Sequence, residues 1–315
     1  MGNGTRLGHK GPKGTYDIGL SNHKTIFEIL LDTIKEASNK YNVTIPWYIM
    51  TSRENNEDTI KFFEENNYFD YGKENIKFFI QDDLAMVDEK GKMFLDEEGK
   101  IKKASNGHGG IFNSMKNNGI IEDMKRKNIN WIYIGGVDNI LAKMVDPLFV
   151  GLAIDKNVLA AGKSLIKAYP EEKVGVFCKK NGKPSVVEYT EISKEMSEEK
   201  TENGELKYGE SHILCNLFNI KVIEDKRNNE YPYHIAHKKA NYMDSNGKII
   251  IPKNPNAYKF ESFIFDVFET LDNIAILRVK REEEFAPIKN KEGIDSAESA
   301  KKLYCEFYKN SLEEK

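Results

Sequence analysis

The sequence has few of the features that mark secreted, membrane-spanning or nucleic-acid-binding proteins. Its 315 residues include three cysteines, Cys178, Cys215 and Cys305. They are too few and too far apart to predict a disulfide framework or a zinc site. The longest apolar region, residues 131–154, is interrupted by three charged residues and does not predict a membrane span. The 47 basic and 50 acidic residues nearly cancel, which gives no electrostatic case for a nucleic-acid partner.

Targeting signals are also absent from the beginning of the sequence. No apolar segment follows a basic start, so no signal peptide is predicted. The start Met-Gly resembles a myristoylation signal, but Arg6 occupies the position that needs Ser or Thr. We therefore predict a soluble, cytoplasmic protein with no membrane partner. The length is sufficient for one large α/β domain, alone or with a small satellite.

The first fourteen residues form a glycine-rich loop that contains cations. It reads G-N-G-T-R-L-G over residues 2–8 and G-P-K-G over residues 11–14, and Arg6 and Lys13 are the cations of interest. Glycine lets backbone N–H groups approach an anion closely, and an Arg with a Lys suits a polyphosphate. The spacing fits neither a Walker loop nor a dinucleotide fingerprint. An ordinary surface turn therefore remains an open alternative.

Strand and helix patterns alternate through the first half of the chain. We predict a helix from Ser21 or Asn22 to about residue 40, a strand at 45–50, a helix at 58–66 and a strand at 76–80. This alternation predicts an α/β fold with a mixed, mainly parallel central sheet flanked by helices. Ligands bind beyond the carboxyl ends of the strands in such sheets. Polar residues occupy those positions at Thr51, Ser52, Gln81 and Asp138.

The second half mixes hairpins, strands and helices. Charged hairpins are predicted at 86–103 and around Asn181-Gly182. A helix is predicted over 258–271 from its apolar spacing, followed by a strand at 274–279. The last fifteen residues read as a polar amphipathic helix, and Asp146-Pro147 reads as a helix start.

Asp138 is the acidic residue with the clearest chemical meaning. It follows an apolar strand at 131–134 and the pair Gly135-Gly136, so little bulk surrounds it. A carboxylate in such a place can hold Mg²⁺, which binds one or two carboxylates together with substrate phosphates. An Asp turn with the neighbouring Asn139 is the alternative. The N-terminal glycine-rich loop, a second glycine-rich turn at residues 106–110 and the cations Arg6 and Lys13 favour the metal.

Ordered motifs along the chain resemble one family. They include G-x-G-T-R-L-G…P-K-G, the G-H-G-G turn at 107–110, V-D-N-I-L…D-P, V-V-E-Y-T-E-I-S, F-I-F-D-V-F and R-E-E-E-F-A-P-I-K-N. Together they resemble the UTP-dependent sugar-1-phosphate uridylyltransferases, and most closely the eukaryotic-type UDP-N-acetylhexosamine pyrophosphorylases. The resemblance implies a Rossmann-like nucleotidyltransferase domain over residues 1–290 and a C-terminal helix over 291–315. UTP, a sugar 1-phosphate and Mg²⁺ are the implied ligands, and the oligomeric state is not predicted.

The resemblance also implies roles for individual residues. The implied catalytic residues are Arg6, Lys13 and Asp138, and Asp138 is also the implied metal ligand. The implied UTP-binding residues are Gly2, Gly4, Thr5, Gln81, Gly107 and Lys259. The implied sugar-phosphate-binding residues are His108, Gly175, Glu188, Tyr189, Asn216 and Lys289. These roles imply in-line transfer of UMP from UTP to the sugar phosphate, with release of pyrophosphate.

The sequence departs from the family pattern at three places. His108 stands where the acetylhexosamine enzymes usually carry Asn and glucose-1-phosphate enzymes carry His, so either N-acetylglucosamine 1-phosphate, which is favoured, or glucose 1-phosphate is the acceptor. Around 211–216 the sugar-contacting Asn of the family does not align cleanly, and His212 or Asn216 takes its place. Met1 replaces the first glycine of the family loop, and the strand expected before it is absent. A non-catalytic remnant that binds UDP-sugar is therefore a further alternative.

Overall fold

The computed structural model describes residues 2–225 and 232–313 and shows a mixed α/β fold. The helices are α1 (Ile26–Tyr41), α2 (Asn56–Glu65), α3 (Ile111–Asn117), α4 (Ile120–Arg126), α5 (Pro147–Asp155), α6 (Lys194–Glu198), α7 (Ile220–Glu224), α8 (Arg281–Glu284) and α9 (Ala297–Glu313). Among the described residues, no helix has the length and apolar character needed to cross a bilayer.

Fourteen strands are described. They are β1 (Trp47–Thr51), β2 (Ile76–Ile80), β3 (Asp83–Ala85), β4 (Lys103–Ser105), β5 (Trp131–Gly135), β6 (Ala160–Ile166), β7 (Val176–Lys180), β8 (Lys183–Val187), β9 (Glu210–Asn219), β10 (His234–Lys238), β11 (Tyr242–Met243), β12 (Ile249–Ile250), β13 (Ala257–Glu261) and β14 (Ala275–Arg278).

Six of these strands form the largest sheet. Its order is β14-β6-β9-β7-β8, and β5 also pairs with β9. Alternate residues of β6 and β9 face opposite sides, which explains the two apolar layers. Ala160 and Phe218 pack with Phe112 and Phe268 on one side, whereas Ala161 and Leu217 pack with Phe149 of α5 on the other. Both faces are therefore buried.

The parallel pair β1–β2 forms a separate small sheet beside the large one. Its apolar side chains pack against α1 and α2 in an aromatic cluster centred on Phe27 and Phe63, whose rings lie 4.9 Å apart. A cavity of about 840 Å³ lies between the large sheet and this pair, and residues of both β1 and β5 line it. The absence of the family's strand before Met1 stays a prediction.

Several sequence predictions agree with the structure. Strands β1, β2 and β5 and the hairpin of β7 and β8 lie where the patterns placed them. The carboxylate of Asp146 accepts a hydrogen bond from the Leu148 amide, and Pro147 occupies the first turn of α5. The first helix is capped by Thr25 rather than by Ser21 or Asn22.

Two predictions need correction, and one strand of the large sheet was not predicted. The predicted helix at 258–271 is instead strand β13 followed by a 3-10 helix, Ile264–Thr270. Among the described strands of the large sheet, the β14–β6 pairing alone is parallel, so mainly parallel pairing is not confirmed. The unpredicted strand is β6, which contains a glycine and a lysine and therefore lacks a clear apolar pattern.

The C-terminal helix α9 packs on the body of the protein. Its inner face contributes Ala297, Ala300, Leu303, Tyr304 and Phe307 to the apolar cluster that also contains Leu7 and Ile26. A boundary at residues 290 and 291 remains a prediction.

The N-terminus of α1 is stabilised by reciprocal hydrogen bonds. The Thr25 hydroxyl accepts from the Glu28 amide, and the Glu28 carboxylate accepts from the Thr25 amide at 2.8 Å. Thr25→Ala removes one acceptor from a helix that packs on the core, so we expect the free energy of unfolding to fall by about 1 kcal/mol in urea titrations. The matched control is Ser193→Ala, which removes the equivalent cap from the mostly exposed five-residue helix α6. Equal losses in the two variants would contradict the expectation.

Candidate active site

The glycine-rich N-terminal loop is closed by its own backbone. The Gly4 amide donates to the Gly11 carbonyl at 3.0 Å, and the Lys13 amide donates to the Gly2 carbonyl at 3.2 Å. Gly4 is needed because an added Cβ would lie 2.7 Å from the His9 Cβ. Backbone hydrogen bonds thus join the two ends of the loop.

The same loop is held on the body of the protein by Leu7 and Gly14. Leu7 is buried in an apolar cluster with Ile26 and Ile140. A Cβ on Gly14 would lie 2.4 Å from the Phe27 ring, so only glycine lets the loop approach α1 this closely. These contacts fix the position of Lys13.

One lysine of the loop lies beside a carboxylate. The Lys13 Nζ atom lies 3.9 Å from an Asp138 carboxylate oxygen, and both side chains are largely buried. Arg6, Lys13, Asp138 and Lys289 line the same cavity, at the end where the glycine-rich loop lies. Burial lowers the pKa of Lys13 and outweighs Asp138, which raises it, while the positive charges of Lys289 and Arg6 lower it further. The cluster therefore carries an excess of positive charge.

The loop after β5 presents Asp138 to this cluster. A Cβ on Gly136 would lie 2.5 Å from Oδ1 of Asp138, so a larger residue would displace the carboxylate. The Ile288 amide donates to the Asp138 carbonyl at 2.9 Å, which places the segment that contains Lys289 alongside. The structure therefore brings together the sequence-predicted residues Arg6, Lys13, Asp138 and Lys289.

The second glycine-rich turn packs against the end of β2. The Gln81 side-chain amide donates to the Gly107 carbonyl, and Gln81 is buried. Gly107 has a φ of 78°, and an added Cβ would lie 2.4 Å from the Ser262 carbonyl oxygen. A side chain at this position is excluded by both the backbone angle and the contact. Gln81 and Gly107 thus form one unit, and their role at the uracil stays a prediction.

The rings of His108, His212, Phe177, Phe263 and Phe265 contact one another and form an aromatic wall beside this turn. The Nδ1 atom of His108 accepts from the Ile264 amide at 3.0 Å, so the neutral ring carries its proton on Nε2. The ring of His212 contacts those of Phe177 and Phe265, each with centroids 5.3 Å away. Burial lowers the pKa of His108 to about 3 and that of His212 to about 4. Both imidazoles are therefore neutral near pH 7.

The predicted sugar-contacting asparagine lies on an irregular part of β9. The pairing of β6 with β9 shifts between Gly162 and Ser164, and Leu214 has a φ of 51°. This bulge places Nε2 of His212 2.9 Å from Oδ1 of Asn216. The Nδ2 atom of Asn216 is buried and has no hydrogen-bond partner among the described residues. Both candidates for this position, His212 and Asn216, are therefore adjacent.

Glu188 lies at the end of β8 beside Gly175. A Cβ on Gly175 would lie 3.3 Å from Oε1 of Glu188, so these two predicted residues are neighbours. Burial raises the pKa of Glu188, and the nearby charge of Glu191 raises it further. His234 joins Glu191 and Asp266 through its two ring nitrogens, at 3.0 and 3.2 Å. These contacts place the carboxylates of Glu191 and Asp266 next to the aromatic wall, because His234, which joins them, contacts the Phe263 ring.

Seven predicted residues do not line the cavity that holds the cation cluster, and they are Gln81, Gly107, Gly175, Glu188, Tyr189, Asn216 and Lys259. Two of them, Lys259 and Tyr189, have surroundings that differ from those of the rest. The Lys259 amine on β13 donates to Glu261 at 2.8 Å and to Ser105 at 3.3 Å. Tyr189 is exposed. Neither residue is among those that line the cavity with Arg6 and Lys13. The sequence did not single out His234 and Asp266, because only the folded chain brings them to Glu191.

Comparison with known proteins assigns the chain to a family. The family described as UTP–glucose-1-phosphate uridylyltransferase matches residues 1–304. The chain belongs to this family. It is 40% identical to a UDP-N-acetylglucosamine pyrophosphorylase of Saccharomyces cerevisiae, over 99% of this chain and 68% of that protein. It is 38% identical to the UDP-N-acetylhexosamine pyrophosphorylase-like protein 1 of Xenopus tropicalis, over 93% of this chain and 59% of that protein.

A solved structure supports the fold. The crystal structure of an Entamoeba histolytica protein assigned as a UDP-N-acetylglucosamine pyrophosphorylase matches with a TM-score of 0.90 and 34% identity. The match covers 99% of this chain and 80% of that chain. The chain spans about three fifths of the length of its Xenopus relative. The family resemblance expected from the ordered motifs is thus confirmed.

The neutral His108 predicts a measurable loss of stability in acid. An unfolded histidine binds a proton below about pH 6.5, whereas the folded pKa is about 3, so stability falls as the pH drops through this interval. His108→Asn should reduce the slope of unfolding free energy between about pH 6 and pH 4.5 by roughly 1.4 kcal/mol per pH unit. His23→Asn is the control, because the side chain of His23 is 82% exposed. An unchanged slope in His108→Asn would show that burial does not keep this imidazole neutral.

Proposed function

We propose that the chain transfers UMP from UTP to a sugar 1-phosphate and forms a UDP-sugar and pyrophosphate. The observation that supports this most strongly is that Arg6, Lys13, Lys289 and Asp138 line one cavity beside a glycine-rich loop, with the Lys13 amine 3.9 Å from the Asp138 carboxylate. Such a cluster suits a polyphosphate, because its three cations outnumber the carboxylates of Asp138 and of Asp295, which lies 3.5 Å from the Lys289 amine. The family to which the chain belongs supports the nucleotidyltransferase chemistry.

The arrangement suggests where each part of the substrates binds. Gln81 and Gly107, which form one unit at the end of β2, suit the uracil ring. Gly2, Gly4 and Thr5 line the cavity beside Arg6 and Lys13, and their small size leaves room there for the UTP phosphates. The sugar binds beside the aromatic wall, next to His108. Its other contacts come from Gly175, Glu188, Tyr189, Asn216 and His212.

The proposed reaction needs charge stabilisation more than acid–base catalysis. An oxygen of the sugar phosphate attacks the α-phosphorus of UTP, and the bond from that phosphorus to the bridging oxygen of pyrophosphate breaks. Arg6 and Lys13 stabilise the negative charge that develops on the leaving pyrophosphate. Lys289 and, from the β13 side, Lys259 bind the phosphates of the two substrates. No covalent intermediate with the protein is needed.

Mg²⁺ is the proposed cofactor, and Asp138 is its proposed ligand. Among the described residues, no group of three or more His, Cys, Asp or Glu side chains could hold a metal ion without a substrate. A single partly buried carboxylate at a phosphate site fits Mg²⁺, which takes its other ligands from phosphates and water. When bound, the ion would neutralise phosphate charge.

The names of the relatives favour N-acetylglucosamine 1-phosphate as the sugar substrate. The Saccharomyces relative is named for UDP-N-acetylglucosamine. His108 favours the second candidate, glucose 1-phosphate, because its ring presents an Nε2 proton at the wall where the acetylhexosamine enzymes usually carry Asn. A chain that binds UDP-sugar without turnover is the third possibility. A cytoplasmic location remains a prediction.

Pyrophosphate release from UTP and Mg²⁺ tests the proposal, with N-acetylglucosamine 1-phosphate and glucose 1-phosphate as alternative acceptors. We expect release with the first sugar at a higher kcat/KM. Arg6→Ala and Lys13→Ala should each lower kcat/KM by roughly a hundredfold, the scale for losing one donor that stabilises developing charge.

Lys10→Ala is the matched control for these two variants. Lys10 carries the same charge in the same loop, but it is exposed and does not line the cavity. We expect its kcat/KM to stay within about threefold of the unmodified chain, as for a surface charge screened by solvent. No release with either sugar from a folded sample would contradict the proposed activity, and UDP-sugar binding by that sample would then identify the non-catalytic alternative.

A further inference from the structure

Two segments that contain proposed phosphate-binding residues form a short antiparallel ladder. One is the loop that contains Asp138, and the other is the segment that ends at Lys289. The Ile288 amide donates to the Asp138 carbonyl at 2.9 Å, and the Ile140 amide donates to the Ala286 carbonyl at 3.2 Å. The separation of the Asp138 carboxylate from the Lys289 amine therefore depends on this ladder.

Asn139 joins the two segments through its side chain. It is 4% exposed. Its Nδ2 atom donates to the Glu284 carbonyl at 2.7 Å, and its Oδ1 atom accepts from the Ala286 amide at 2.9 Å and from the Leu141 amide at 3.3 Å. Asparagine suits this position because it carries a donor and an acceptor on one short planar group.

Lys163 holds the outer ends of the same two segments. This lysine lies on β6, has no solvent exposure and donates to the carboxylates of Asp146 and Glu284. Asp146 ends the loop that contains Asp138, and Glu284 begins the segment that contains Lys289. A buried ammonium with two carboxylate partners is costly to separate, because each group would be left charged without water. The ion cluster thus prevents the two segments from sliding apart.

We propose that Asn139 is a positioning residue that sets the distance between the Asp138 carboxylate and the Lys289 amine, with Lys163 as its anchor. Asn139 contacts no substrate in this arrangement and acts through the backbone on either side of it. The kinetic consequence rests on the proposed function, because Asp138 and Lys289 act on phosphates only if the chain binds them. The geometric part of the proposal can be tested without turnover.

A double-mutant cycle tests the kinetic part. Asn139→Ala should lower kcat/KM for the sugar 1-phosphate by roughly tenfold or more, because small misplacements of binding groups reduce rates strongly. In a Lys289→Ala background the same substitution should change kcat/KM by less than about threefold, since the group that it positions is gone. A tenfold loss in both backgrounds would show that Asn139 acts independently of Lys289 and would overturn the proposal.

Amide hydrogen exchange tests the geometric part. Ala286 loses its direct acceptor in Asn139→Ala, so the informative amide is that of Ile288, which Asn139 does not contact directly. We expect faster exchange at Ile288 in Asn139→Ala than in the unmodified chain. Unchanged exchange at Ile288 would overturn the proposal. Asn139→Ser, whose short hydroxyl cannot span both backbone groups, replaces the alanine variant if that variant does not fold.

The matched control is Asn256→Ala. Asn256 makes the same kind of two-way contact, donating to the Ala240 carbonyl at 3.0 Å and accepting from the Ala240 amide at 2.9 Å. Its loss should leave exchange at Ile288 unchanged, and equal acceleration in both variants would overturn the proposal as general destabilisation. A chain that releases no pyrophosphate would instead contradict the proposed function, and exchange at Ile288 would then decide the role of Asn139 by itself.

Discussion

Like charges held close together are the constraint on which the rest of this site depends. Lys13, Arg6 and Lys289 share a partly buried region with the Asp138 carboxylate, and burial together with their mutual repulsion lowers the pKa of Lys13. Repulsion of this kind opposes folding unless backbone contacts elsewhere hold the groups in place. The ring closure of the N-terminal loop, the contact of Gly14 with Phe27 and the ladder beside Asp138 supply those contacts. A bound polyphosphate would relieve the repulsion.

Local patterns predicted the elements that local chemistry determines. The strand predicted at 131–134 before the glycine pair, the hairpin around Asn181-Gly182 and the start of α5 at Asp146-Pro147 follow from short-range signals. The predicted helix at 258–271 was wrong, because its apolar spacing also fits a strand followed by a 3-10 helix. The pairing of β6 with β9 and β14 joins distant parts of the chain, so a local sequence pattern cannot predict it. Parallel pairing was therefore overestimated.

The features of the candidate site also divide into those that the sequence predicted and those that it could not. Ordered motifs predicted Arg6, Lys13, Asp138 and Lys289, and the structure places them along one cavity. Their motifs carry glycine and charge at short spacing, which a sequence shows directly. The bridge from His234 to Glu191 and Asp266, and the Asn139 and Lys163 contacts, could not be predicted, because each joins residues far apart in the sequence. The resemblance was specific because many weak motifs occurred in order.

A crystal structure of the chain with UDP-N-acetylglucosamine and Mg²⁺ would test the central claim most directly. The account predicts the uracil at Gln81 and Gly107, the diphosphate between Arg6 and Lys13 with the ion on Asp138, and the sugar beside Glu188. Ordered ligand at a different place, with these side chains in contact only with solvent, would contradict the claim that the glycine-rich loop and its cations form a nucleotide-sugar site.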